Sequence, residues 1–270
     1  MQKQNSERRF LWTVVTIFGL VVVLNYLPVL SGRIPFPRDM VVRHSAWNGE
    51  PRDQLPQLID IAAMFYPFRA LLGRAANEGS IPLWNPYALS GAPFQANAQS
   101  AVFAPLNALY YFMPPKAAWT IILAIRLFLA TFFMTLFVRS IGGSPVGSIF
   151  AGITFGLCGF TTEWQGMSNG DSGIWLPLMC YSVHRLHQDR RLSGISVAIM
   201  AFAFAMPVLS GHPETAAHST VAASAIALFL WCRPLRPDAP RFERRYAIGF
   251  VLSAFLAVGL AAVQIIPTLE

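Results

Sequence analysis

The chain contains 270 residues, of which 54% are hydrophobic and only 12% are charged. This composition excludes a disordered segment and is unusual for a soluble globular domain. The formal net charge is +7, but the basic residues are spread over separate segments, so no basic stripe could follow a phosphate backbone. We therefore expect a membrane protein that contacts lipid and binds no nucleic acid.

The first predicted membrane span runs from Phe10 to Leu30, where no charged residue interrupts the apolar stretch. A bilayer core about 30 Å thick requires roughly 20 such residues of helix. The end of the stretch, LNYLPVLSGR, fits a signal-peptide cleavage site poorly, so we interpret the span as a retained anchor. Six further spans are predicted: Ala117 to Val138, Pro145 to Trp164, Ile174 to Leu186, Gly194 to Gly211, Thr215 to Cys232 and Tyr246 to Pro267. The stretch from 174 to 186 is too short to cross alone, so we expect it to borrow flanking residues, to tilt or to be re-entrant.

The distribution of Lys and Arg orients these seven spans, because both residues collect in short cytoplasmic loops. With the N-terminus in the cytoplasm, the inner segments contain Lys3, Arg8, Arg9, Arg139, Arg185 and seven arginines between 190 and 245. The two short outer loops, EWQGMSNGDSG and SGHPETAAHS, contain neither Lys nor Arg. The pattern predicts an all-α polytopic protein, forming one membrane domain over 1–270, with a long first outer loop from 31 to 116.

Within this first loop, the stretch from Asp60 to Asn77 has apolar residues at helical spacing, which predicts a helix lying in the membrane interface. Pro67 should kink or split this helix, because its ring removes a backbone donor and crowds the preceding turn. The following segment, 78–105, is rich in Pro, Asn, Gln and aromatic residues. We expect it to be an ordered loop that folds back onto the membrane domain.

Four stretches follow one another in the order LIDIAAMFYPFRALLGRAANEGSIPLWNPYALSGAPFQANAQSAVFAPLNAL, WLPL, SGHPETAAHS and AAVQIIPTLE. In this order they resemble the bacterial YfhO-like membrane protein family, which is related to the GT-C fold of membrane glycosyltransferases. The resemblance implies a bacterial cytoplasmic-membrane transferase that moves a sugar from a polyprenyl-phosphate carrier to an acceptor outside the cytoplasm. Members of the family are usually longer, so this chain resembles their N-terminal part, and a downstream membrane portion or subunit is an expected partner.

Transfer of this kind requires a base for the acceptor hydroxyl and positive groups for the departing phosphate. Asp60 is the first candidate base, because it aligns with the acidic residue that the family carries ahead of YPFR. The alternative for Asp60 is a helix N-cap. Asp39 is the second candidate base, and the alternative there is a solvated partner for a neighbouring arginine. Either carboxylate could instead bind a divalent cation, but a carboxylate without a nearby partner predicts a metal only weakly.

Arg126 lies inside the second predicted span, where a charge is costly unless it faces a partner or a cavity. We consider two roles for it: holding the lipid phosphate through its planar guanidinium, or forming a buried structural ion pair. The other predicted substrate-binding residues are the stacking and hydrogen-bonding groups Trp84, Asn85, Gln99, His212, Glu214 and His218. Glu214 and His218 share a helix face and could form an acid–base pair, although a capping role for Glu214 fits equally well.

Two other function classes remain open. A transporter or flippase for lipid-linked substrates would show internal repeats or broken helices with polar groups near the membrane midplane. A non-catalytic membrane scaffold is the third alternative, because only the N-terminal part of the family is matched.

Overall fold

The computed structural model describes residues 2–36, 58–189, 191–232 and 243–270, and it is nearly all helical over these ranges. Its α-helices are α1 (Gln2–Asn25), α2 (Tyr66–Asn77), α3 (Pro115–Ser140), α4 (Pro145–Gly156), α5 (Gly159–Glu163), α6 (Ser168–Gly173), α7 (Leu176–Gln188), α8 (Gly194–Leu209), α9 (Pro213–Cys232) and α10 (Arg244–Leu269). A small antiparallel hairpin pairs β1 (Trp84–Asn85) with β2 (Ala92–Pro93) inside the first loop.

Three of these helices, α3, α9 and α10, are long and apolar enough to cross a membrane. They correspond to three of the predicted spans, with ends that differ by a few residues. With 26 residues, α3 reaches about 39 Å, more than the hydrocarbon thickness of a bilayer. Helices α4 and α8 are also apolar but shorter, with 12 and 16 residues. The length and composition of the three long helices indicate a membrane protein.

One predicted span is divided into two helices, and another begins two residues later than predicted. The stretch predicted from 145 to 164 breaks after Gly156, and α5 starts again at Gly159 after an extended Cys158. Glycine weakens a helix interior, and the Thr161 hydroxyl satisfies the exposed end of α4 by donating to the Phe155 carbonyl at 2.9 Å. In the next stretch, α7 begins only at Leu176, because Pro177 in its first turn cannot continue a helix from upstream.

The helix predicted in the first loop is present and is irregular where Pro67 predicts it. A π-helical turn covers Ile61–Phe65, and α2 begins directly after it with Pro67 in its first turn. Because proline has no N–H, a continuous α-helix would leave a carbonyl of the preceding turn unpaired. The wider π turn before Pro67 accommodates this change of hydrogen-bond register.

The first loop shares a hydrophobic core with the beginning of α3. This core contains Phe65, Leu72 and Phe94 from the loop and Trp119 and Ile122 from α3. A second core joins α3 to α7, α8, α9 and α10. Since α3 contributes to both cores, the first loop is packed onto the helices that form the rest of the fold.

The segment 78–105 is fastened to two distant parts of the chain, as predicted for an ordered loop folded back onto the helices. The side-chain amide of Gln264 on α10 donates to the Gln95 carbonyl at 2.8 Å, and the Gln95 side chain donates to the Val263 carbonyl at 3.0 Å. At Gly211, which has φ +99°, a Cβ atom would lie 2.6 Å from the Ala98 carbonyl oxygen. Only glycine permits this approach between the α8–α9 connection and the first loop.

An exposed ion pair relates the ends of two helices. The Arg139 guanidinium lies 3.1 Å from the Glu7 carboxylate, which places the start of α1 beside the end of α3. The two helices are therefore antiparallel, and the contact between Trp119 and Pro35 brings the residues after α1 to the opposite end of α3. Close packing of α4 on α3 depends on Gly152, where a Cβ atom would lie 2.2 Å from the Thr135 hydroxyl.

Candidate functional site

A buried ion pair joins the middle of α3 to α6. Nη1 of Arg126 lies 2.6 Å from Oδ1 of Asp171, and the two side chains are only 9% and 5% exposed. Arg126 is about 16 Å along α3 from its first residue at a rise of 1.5 Å per residue. The costly intrahelical arginine therefore has a carboxylate partner, which is the arrangement of the predicted structural ion pair.

A second arginine reaches the same region from the first loop. Arg69 on α2 is 2% exposed, and its Nη1 donates a hydrogen bond to the Ser100 carbonyl. Burial lowers the pKa of the Arg69 guanidinium, while the nearby Asp171 carboxylate opposes this shift. We call Arg69, Arg126 and Asp171 the Arg–Asp cluster.

The Arg–Asp cluster combines two cationic groups with one carboxylate, so its ionised form has an excess of positive charge. Four polar atoms in this part of the protein are buried without a hydrogen-bond partner: Arg69 Nη2, Ser100 Oγ, Asn107 Oδ1 and Ser168 Oγ. Unpaired buried polar atoms are rare in folded proteins, and where they occur they often mark a functional group or a place for water. Burial also raises the pKa of Tyr110 to about 12, so its phenol is neutral at physiological pH.

Further hydrogen bonds bring α1 and the α8–α9 connection to the two sides of α6. The Gln165 side chain, just before α6, donates to the Tyr26 hydroxyl just after α1. On the other side, the Ser172 hydroxyl donates to the Pro207 carbonyl at 2.9 Å and accepts from the His212 N–H at 3.2 Å. Four separate parts of the chain thus converge around Asp171 on the short helix α6.

The two predicted bases have different outcomes. Asp60 is exposed and has helical backbone angles, and its side chain makes no capping hydrogen bond. The structure therefore gives no support to the N-cap alternative and leaves the Asp60 carboxylate facing solvent. Asp39 lies outside the described residues. Among the described residues, no group of three or more His, Cys, Asp or Glu side chains is arranged to hold a metal ion.

His212 is a capping residue at the start of α9. Its Nδ1 accepts the Thr215 N–H at 3.2 Å and lies 2.8 Å from the Thr215 hydroxyl, which satisfies the first turn of α9. Glu214 and His218 are exposed on α9. An acid–base role for these two residues remains a prediction.

The predicted substrate-binding residues of the first loop shape the hairpin. The exposed Trp84 ring covers Gly91, where a Cβ atom would lie 2.7 Å from the ring. Asn85 is buried, and its side-chain oxygen accepts the Tyr87 N–H at 3.0 Å. Gln99 is half-buried, and its backbone N–H donates to the Asn97 side chain at 3.0 Å. These contacts give Trp84 and Asn85 a structural role in the turn.

Beside the hairpin lies a groove of about 480 Å³ between α2 and the turn that follows β1. The Arg74 guanidinium at its edge donates to the Tyr87 hydroxyl at 2.7 Å and lies 5.1 Å from the centre of the Tyr87 ring. Asn85 also lines the groove. The groove thus combines a cation, an aromatic ring and an amide with apolar walls, and it faces away from the buried Arg69 side of α2.

Sequence reasoning missed the role of Arg69. The residue lies off the apolar stripe of its helix, and no role was predicted for it. The signal that could have found it is the length of the first loop, whose packing onto α3 buries more than one face of α2. The chain matches no family model, no curated protein and no solved structure.

Proposed function

We propose that this chain is a GT-C-like membrane glycosyltransferase, which transfers a sugar from a polyprenyl-phosphate donor to an acceptor outside the cytoplasm. The observation that carries the proposal is the first loop itself. The loop exposes the Asp60 carboxylate, which caps no helix, to solvent. The helix that follows, α2, contributes the buried Arg69 to the positively charged Arg–Asp cluster. The resemblance of the loop sequence to the YfhO-like family supports the same function.

In the proposed reaction, Asp60 accepts the proton of an acceptor hydroxyl as its oxygen attacks the anomeric carbon of the sugar. The bond between that carbon and the phosphate oxygen breaks, and the polyprenyl phosphate leaves with the electron pair. Positive charge near the departing phosphate lowers the barrier, because negative charge develops there in the transition state. The Arg–Asp cluster keeps the first loop in place through Arg69.

The proposal includes seven membrane crossings, an N-terminus in the bacterial cytoplasm and an external first loop. The basic residues of the short connections support this orientation. The contact between Glu7 and Arg139 supports two antiparallel crossings by α1 and α3, since it places the start of α1 and the end of α3 on one side. The short helices α4 to α7 would complete their crossings as interrupted segments buried among longer helices, where irregular backbone is tolerated.

Transfer is tested with the purified chain in lipid nanodiscs. A polyprenyl-phosphate donor with a radiolabelled sugar is supplied, and both acceptor labelling and release of free polyprenyl phosphate are measured. Asp60→Asn should reduce transfer by about 100-fold or more, the range of general base catalysis, while Glu78→Gln, an exposed acid of the same loop, should not. Equal activity of the wild type and Asp60→Asn would remove Asp60 as the base, and absence of transfer and of donor binding would refute the enzyme proposal.

A transporter or flippase is the second candidate, and one observation favours it. The interruptions after Gly156 and before Leu176 are breaks of the kind that transporters use, and the buried Asp171 lies between them near the middle of α3. Movement of a fluorescent polyprenyl-phosphate lipid across proteoliposomes without sugar transfer would favour this function. Arg139→Gln, which removes a partly exposed charge in the last turn of α3, is the matched control for Arg126→Gln in that assay.

A further inference from the structure

A groove of about 390 Å³ lies between the residues after α1 and the beginning of α3, apart from the Arg–Asp cluster. Its apolar lining includes Val29, Ile34, Ala117 and Ile121, and two basic side chains, Arg33 and Lys116, also line it. The groove therefore combines a hydrocarbon surface with two cations at one end of a membrane-spanning helix.

The walls of the groove are held together by specific contacts. The Trp119 indole N–H on α3 donates to the Pro35 carbonyl at 2.9 Å, which fixes the segment after Arg33 against the helix. Gly32 has φ +79° and turns the chain after the 3₁₀ turn at Leu27–Ser31. The Lys116 ammonium lies 3.5 Å from the Gly32 carbonyl, so most of its donor capacity is unused.

The two cations lack an acidic partner in the described ranges of the chain. Both are exposed, and both lie near the N-terminal end of α3. The helix dipole disfavours positive charge at that end, so the dipole does not account for Lys116 there. An anion placed between Arg33 and Lys116 would be attracted by both side chains.

The apolar lining and the two basic side chains together favour an anionic lipid with a phosphate head. A phosphate monoester has a charge of about −1.5 to −2 at pH 7, which matches two cations better than the single charge of a phospholipid diester does. From these features we infer that the groove binds polyprenyl phosphate, with the phosphate between Arg33 and Lys116 and the first isoprene units against the apolar lining. This inference rests on the proposed function and assigns the site of its carrier lipid.

The inference also predicts an order of affinities. Polyprenyl phosphate should bind more tightly than the sugar-loaded donor, because the donor is a phosphodiester with one negative charge fewer at most. The same preference would help the leaving phosphate during transfer, since binding that strengthens as charge develops lowers the barrier. A prenol without phosphate should bind weakly, because it lacks the group that the two cations attract.

The test measures binding of a labelled polyprenyl phosphate to the full chain in nanodiscs of neutral lipid. The double variant Arg33→Gln/Lys116→Gln should lose about tenfold or more in affinity, since charge-assisted hydrogen bonds to both cations are removed. Ala117→Phe, which fills the groove without changing charge, should also weaken binding. The matched control is Arg8→Gln/Arg191→Gln, which removes two exposed charges outside the groove and should bind like the wild type. Retained tryptophan fluorescence and thermal stability show that each variant is folded.

The outcomes distinguish a wrong assignment of the groove from a wrong assignment of the reaction. Wild-type binding that both groove variants leave unchanged would overturn this inference and leave the proposed transferase standing. Equal competition by phosphatidylglycerol would also overturn it, because the groove would then bind anionic phospholipid in general. Binding that depends on Arg33 and Lys116 in a protein without transfer or donor binding would support the groove while refuting the enzyme. No wild-type binding of polyprenyl phosphate would overturn the groove inference and leave the transfer assay to decide the proposed function.

Discussion

Replacing Asp171 by Asn would remove the carboxylate that pairs with Arg126 and lies near Arg69. The shape of the side chain is almost unchanged, so the effect reports on charge. Arg126 and Arg69 would then remain buried together without a counter-charge, and removing one partner of a buried pair costs about 3–5 kcal/mol. Because two cations lose the nearby carboxylate at once, we expect Asp171→Asn to lower the free energy of unfolding by about 5 kcal/mol, the upper end of this range.

Removing Arg126 should cost less stability than removing the charge of Asp171. Arg126→Gln leaves the Asp171 carboxylate with Arg69 nearby, so its cost should be nearer about 3 kcal/mol. The exposed pair between Arg139 and Glu7 provides the control, because its side chains are 33% and 48% exposed. Glu7→Gln should cost less than about 1 kcal/mol, as solvent-exposed pairs do.

Unfolding by denaturant in detergent, followed by the fluorescence of the seven tryptophans, measures these differences. The order of stability should be wild type, Glu7→Gln, Arg126→Gln and Asp171→Asn. If Asp171→Asn lowered the free energy of unfolding no more than Glu7→Gln does, the Arg–Asp cluster would not have an excess of positive charge. A larger loss for Arg126→Gln than for Asp171→Asn would show that Arg69 does not share the carboxylate.

Three further predictions concern how the first loop and the helices are joined. Gly211→Ala should lower the free energy of unfolding by about 2–3 kcal/mol, because it adds both backbone strain and a close contact. It should also speed proteolysis of the segment 78–105. Gly79→Ala, at φ +65° with open space around it, should lower the free energy of unfolding by the strain contribution alone. Gly156→Ala should cost about 1–3 kcal/mol in thermal or denaturant unfolding, because its new methyl group would lie 2.2 Å from a side chain of α3. Its control is Gly19→Ala in α1, where nothing lies near the added methyl group, and this change should be neutral or stabilising. Gln264→Leu should cost about 1 kcal/mol through its lost hydrogen bond and should increase hydrogen exchange in the 78–105 segment.

The long helices and the irregular helix of the first loop could be predicted because their causes are local. Continuous apolar runs specify α3, α9 and α10, and Pro67 specifies the interruption before α2 through its missing N–H. The break after Gly156 was overlooked because an apolar run continues through it. Hydropathy does not distinguish a helix from two shorter helices, while glycine and proline positions carry that information.

The Arg–Asp cluster could not be predicted because its members are joined only by tertiary packing. Arg126 alone indicated a buried partner, but the sequence contains 13 acidic residues, and their distances from the helix are not encoded in a local pattern. Arg69 was still harder to assign, because the face that it occupies becomes buried only when the first loop packs against α3. The prediction that the loop folds back onto the helices was correct, and the charge brought in by that folding was missed.

The structure distinguishes the two roles that the sequence left open for Arg126, which are phosphate binding and a buried structural ion pair. A lipid phosphate that bound Arg126 would have to displace Asp171 at 2.6 Å and leave that carboxylate buried beside a second anion. Such an exchange is costly in a region of low dielectric. Arg33 and Lys116 are exposed beside an apolar groove and have no carboxylate to displace in the described structure. Phosphate binding therefore fits these two residues better, and Arg126 fits the task of holding α6 and the first loop in the positions that the proposed reaction requires.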